Sequence, residues 1–137
     1  MTGVLAVRSA LEAALAAMSP ALATAWENLP YTPVPGTPYQ RVYLLPARPE
    51  NPELGGALQI EQGYMQVSLA YPLDTGPAAA TARAELIRST FARGTSLTDS
   101  GITTIIPETP EIAPGRVEED RFVVPVKVRF TAQIQRS

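Results

Sequence analysis

The run Asn28-Leu-Pro-Tyr-Thr-Pro-Val-Pro-Gly-Thr-Pro38 places four prolines in eleven residues. Each proline fixes φ and removes a backbone donor, so the run is excluded from a helix and from the interior of a sheet, yet it is stiffer than an ordinary loop. The flanking segments read as strands. Leu22, Thr24 and Trp26 share one face of the first, and in the second Val42 and Leu44 oppose Tyr39, Arg41, Tyr43 and Leu45, the period-two alternation of a sheet. Residues 22–47 are therefore the expected centre of the fold. The stiff arm between the strands carries Leu29, Tyr31 and Val34, which suits docking better than catalysis.

Upstream, Val4, Leu5, Leu11, Leu15 and Met18 recur at helical spacing among alanines, and Ser19-Pro20 closes the pattern; this predicts an amphipathic helix of about four turns. Arg8 and Glu12, four apart, read as a solvated pair on its side. Residues 48–56 form a polar, turn-rich stretch expected to be mobile. From Leu58 to Tyr71 alternation returns, with Met65, Val67, Leu69 and Tyr71 on one face and Tyr64, Gln66, Ser68 and Ala70 on the other. Gly63 predicts a bulge or bend that divides a short strand from a longer one. Pro77 occupies a natural first helical position. The second helix, ending near Phe91, buries Ala80, Ala84, Ile87 and Phe91 and leaves Arg83, Glu85 and Arg88 on its other face.

A short strand over residues 102–106 reads as edge-like, because Pro107, Pro110 and Pro114 follow it. The clearest alternation is the last. Phe122, Val124, Val126, Val128, Phe130 and Ala132 oppose Arg121, Val123, Pro125, Lys127, Arg129, Thr131 and Gln133, with Pro125 placing the strand near a sheet edge or at a bulge. The predicted fold is a single α+β domain over residues 1–137. It has a mostly antiparallel four- to five-stranded sheet, two helices packed on one face, and Arg, Lys, Gln and Tyr on the other.

Composition narrows the chemistry. The chain has no His and no Cys, which removes the commonest general base, every thiolate nucleophile and the soft metal ligands. A formal net charge of −2 without a basic block gives little support for tight binding to a nucleic-acid backbone. No apolar run approaches membrane-spanning length and no Lys/Arg-led signal opens the chain, so a soluble protein without a visible export signal is expected. Glu118, Glu119 and Asp120, with Glu108 and Glu111 nearby, are the one carboxylate group to weigh as a metal site, and a solvated acidic turn accounts for them better. Arg93 and Gly94 close the second helix, where a cation suits the helix dipole; the alternative is a charge presented to a partner subunit. Trp26 reads more readily as core than as an interface hot spot.

These residues form a familiar pattern. Ala25-Trp-Glu-Asn28, Tyr31, Pro33, Gly36-Thr-Pro-Tyr39 and Leu45-Pro-Ala47, then Gly63-Tyr-Met-Gln-Val67, Tyr71-Pro72, Gly76, Phe91-Ala-Arg-Gly-Thr95 and Arg121-Phe-Val-Val-Pro-Val126, occur in that order. Together they resemble the tail-terminator-like family of long-tailed bacteriophages and prophages over nearly the whole chain. The resemblance implies a ring homo-oligomer, a hexamer, on the head-proximal end of the tail tube. There it would stop polymerisation of the major tail protein and offer a surface to a head-completion or neck protein, with DNA only passing through. It implies assembly in the bacterial host cytoplasm, no catalytic residue, no metal and no cofactor. The interface candidates are Glu27, Tyr31, Pro38, Tyr39, Arg41, Arg83, Arg88 and Arg93.

Overall fold

The computed structural model describes residues 3–52, 56 and 58–135. In chain order the elements are α1 (Gly3–Ala16), β1 (Ala23–Ala25), β2 (Tyr39–Pro46), β3 (Leu58–Pro72), α2 (Ala78–Thr90), β4 (Ser96–Asp99), β5 (Ile102–Ile105), β6 (Glu111–Ile112), β7 (Arg116–Glu118) and β8 (Arg121–Gln135). The architecture is α+β with two helices on one face of the sheet, as expected. The sheet itself is larger than predicted: eight strands in the order β1-β2-β3-β8-β5-β4, with β6 and β7 also on β8. It is also mixed. The proline-rich arm carries the chain back past β1, so β2 runs parallel to it, Ala23 opposite Tyr39 and Ala25 opposite Arg41.

The centre of the sheet is the antiparallel pair of β3 and β8, each 15 residues long and paired from Leu58/Gln135 to Pro72/Arg121. Residues 22–47 lie to one side of this axis. Gly63 does not divide β3; a Cβ there would sit 2.4 Å from the Leu45 carbonyl oxygen and 2.9 Å from Pro46 Cα, so the glycine permits a close backbone approach. Nor does Pro125 put β8 at an edge. The carbonyl of Pro125 accepts from Ala113 N, so its donor-less nitrogen faces the same side, in the gap between the pairings of β7 and β6. Three short strands thus share the edge that a proline had interrupted. β5 is likewise interior, because β4 pairs with it across the two-residue turn Ser100-Gly101, both at positive φ (53° and 78°), as a primed hairpin turn requires.

The inner rows of β2, β3 and β8 (Val42, Leu44, Met65, Val67, Leu69, Val124, Val126, Val128, Phe130) meet Val7, Leu11 and Leu15 of α1 and Ala80, Ala84 and Ile87 of α2. Ala80 and Ala84 are wholly buried, and their small side chains let α2 lie close to β3 and β8. Each large side chain buried here contributes about 1.5–3 kcal/mol. Val4 and Leu5, expected inside, are exposed; Ala6, Val7 and Ala10 take the inner face of α1 instead. Helix α1 packs on β4 and β5 at one margin of the sheet and reaches Glu27, beside β2, at the other. The sheet therefore curls until both margins meet this helix. Among the described residues, no helix is long and apolar enough to cross a membrane.

Candidate assembly surfaces

The arm does not hang free. Arg121, the first residue of β8 and buried at 6% exposure, donates Nη1 to the carbonyl of Thr37 and Nη2 to that of Val34, the latter at 2.7 Å. Its guanidinium also lies 5.1 Å from the ring centroid of Tyr39, and Tyr31 stacks on that ring with centroids 5.1 Å apart. Four prolines leave the arm with more carbonyl acceptors than backbone donors, and one guanidinium with five N-H groups supplies the difference. Arg121 is the residue that sequence reasoning missed, although the surplus of acceptors was readable. Pinned this way, the arm holds Leu29 at 63% and Val34 at 55% exposure. Pro38 is half-buried where the arm enters β2.

Glu27 joins three elements. Its Oε1 accepts from Arg8 Nη1 of α1 at 3.0 Å and from the backbone N-H of Leu44 in β2 at 2.9 Å, while Arg8 also meets Glu12 at 3.4 Å. The carboxylate takes up a β2 donor beyond the end of β1, which blunts the sheet margin. The Leu44 N-H, more than the Arg8 charge, holds its pKa below the ordinary value against some desolvation. Trp26 packs against the core with its remaining surface in an open groove of about 860 Å³, lined also by Arg8, Glu12 and Leu29. Trp26 is thus a partly buried member of the core, as its alternation with Leu22 and Thr24 predicts.

Arg41 holds Glu118 through both Nη atoms at 3.3–3.4 Å, and Arg116 reaches the same carboxylate at 3.6 Å. The hydrogen bonds and charge of Arg41 lower the Glu118 pKa. Glu118 thus serves an ion pair, and among the described residues no three acidic side chains are grouped as a metal site. Tyr39 is buried beneath the arm, and Tyr43 and Tyr64 lie on the open face.

Arg83 is not on the open face of α2. It lies three residues after Ala80 and four before Ile87, inside the buried stripe, at 6% exposure. One Nη donates to the carbonyl of Pro20, while Nε and the other Nη have no partner among the described residues. Burial depresses its pKa and raises that of neighbouring Tyr71. Arg88 is exposed and donates Nε to the carbonyl of Pro110 at 3.1 Å. Arg93 is exposed beyond the helix end, next to Gly94, whose N-H meets the Ile106 carbonyl at 2.7 Å.

The candidate surface thus consists of a stiff clamped arm with apolar tips and an open face of ion pairs and tyrosines. The family model for phage tail terminator proteins matches residues 6–130. The chain belongs to that family. Tail terminators are structural proteins of the phage tail, and membership implies interaction with other tail proteins. No curated protein sequence matches the chain. One solved structure aligns over 100% of both chains with a TM-score of 0.81 at 21% identity, a likeness of fold.

Proposed function

We propose that this tail terminator family member forms a ring, of six copies, at the head-proximal end of the tail tube. It stops polymerisation of the major tail protein and presents a docking surface to a head-completion or neck protein, while DNA passes through the ring without being held. The observation that carries this reading is the clamped arm: Arg121 fixes the path of a proline-stiffened segment whose Leu29 and Val34 face solvent. Rigid apolar anchors lose little conformational freedom on binding, which favours permanent assembly. The test is electron microscopy of the protein mixed with its own major tail protein during tube growth. A cap at one end only, with tube length arrested, is expected. Tubes that elongate unchanged refute the reading, and binding to head-completion rings in place of tubes assigns the protein to the neck. Arg93→Glu, at an exposed position, is expected to keep the thermal midpoint and weaken ring formation; an unfolded variant would make Arg93 structural.

A further inference from the structure

The open face of the sheet and the tip of the β7–β8 hairpin carry opposite charge. The outer rows of β2, β3 and β8 present Arg41, Lys127 and Arg129 beside Tyr43 and Tyr64, with no carboxylate in those rows. Lys127 Nζ lies 4.5 Å and Arg129 Cζ 6.0 Å from the Tyr64 ring centroid; the ring orients both cations without neutralising either. Arg41 is occupied by Glu118, and Arg129 meets Glu108 at 3.4 Å at an exposed position. Lys127 stands opposite Glu111 in register, yet has no carboxylate within 4.0 Å among the described residues.

At the far end, Pro72 pairs with Arg121, which brings the β3–α2 turn and the β7–β8 turn together. Asp74, Glu119 and Asp120 are exposed there and form no ion pair among the described residues. Lys127 is seven residues from Asp120 along one extended strand, roughly 23 Å at 3.3 Å per residue. That exceeds two Debye lengths at physiological ionic strength, each about 8 Å. Within one chain the tip is bordered by Arg41, through Glu118, and by Arg121, whereas Lys127 and Arg129 lie beyond its screened reach.

We propose that the carboxylate tip of one copy docks on the Lys127, Tyr64 and Arg129 face of the next, and that this contact propagates the ring. The inference rests on the ring reading above and names its two complementary patches. Because tip and face are different places, every copy keeps one of each free after pairing, the heterologous arrangement from which closed rings are built. A nucleic-acid backbone fits the face less well. Phosphate binding draws on several uncompensated cations, whereas here Arg41 and Arg129 are already engaged, and Glu108, Glu111 and Glu118 border the face.

The test is sedimentation velocity on the full chain and two double variants, Lys127→Glu with Arg129→Glu and Glu119→Lys with Asp120→Lys, each checked by circular dichroism and thermal midpoint. Each alone is expected to associate at least about tenfold more weakly than wild type. A one-to-one mixture restores assembly, because the reversed tip of one meets the reversed face of the other. Variants that assemble as wild type, or folded variants whose mixture stays dissociated, overturn the inference. So does duplex DNA binding that Lys127→Glu with Arg129→Glu abolishes while assembly is unchanged. Tube capping is scored separately: variants that still form rings and cap tubes defeat only this inference, whereas a wild type that neither associates nor caps defeats the proposed function too.

Discussion

Replacing Arg121 by Ala detaches the arm from the sheet. The substitution removes two charge-assisted hydrogen bonds, to the carbonyls of Val34 and Thr37, and the stacked cation on Tyr39. Each such hydrogen bond contributes about 1.5–3 kcal/mol where desolvated, and the cation on the ring about 0.5–2 kcal/mol. The low ends of these terms sum to about 3.5 kcal/mol; Val34 and Thr37 are themselves exposed, so water replaces the lost donors and brings the net cost below that sum, to about 2–3 kcal/mol. For a chain of this length that lowers the thermal midpoint by roughly 3–4 °C per kcal/mol. The larger effect is local. Free of its clamp the arm opens without global unfolding, so within the 31–37 peptide exchange of the Thr37 amide, which donates to the Val34 carbonyl at 3.1 Å, accelerates about 30-fold or more, at 1.4 kcal/mol per decade. Exchange mass spectrometry resolves that peptide from the core strands. Arg121→Lys is expected to rescue little, since an ammonium lacks the planar fork that spans both carbonyls. Unchanged exchange in the arm of Arg121→Ala would refute the clamp.

Three further outcomes follow from the packing. Glu27 and Glu118 both have lowered pKa values, so the stability they give is complete above the unfolded carboxylate value, about 4.3, and is lost as pH falls through the lowered folded values; Glu27→Gln with Glu118→Gln should flatten the acid limb of stability against pH, measured by urea melts from pH 2 to 7. Arg83→Met replaces a buried guanidinium that has two nitrogens without a partner among the described residues and is expected to be neutral or stabilising by about 1 kcal/mol, whereas a loss above about 2 kcal/mol in a denaturant melt would show that the bond to Pro20 dominates. Gly63→Ala forces a Cβ to within 2.4 Å of a backbone oxygen and should cost about 1–3 kcal/mol; a melt matching wild type would mean that β2 can shift aside.

Local pattern determined much of this protein. Period-two alternation made both long strands legible, and the stripe Ala80, Ala84, Ile87 and Phe91 was found wholly buried, because side-chain direction repeats with the backbone and needs no partner to be specified. The same helical arithmetic would have put Arg83 in that stripe; its charge argued otherwise and misled. Absent histidine and cysteine, and the order of family motifs, were likewise properties of the sequence alone. Strand neighbours were decided only by tertiary structure. β4, β6 and β7 are two to four residues long, too short for periodicity to register, and exist because β8 and β5 offer them edges. That Pro125 sits at a junction of two short strands, that β1 runs parallel to β2, and that Arg121 reaches back 84 positions to Thr37 all depend on long-range pairing. The sequence placed charges on a face and on a tip; the 15-residue register of β3 with β8 set the distance between them, and with it which charges are left for another molecule.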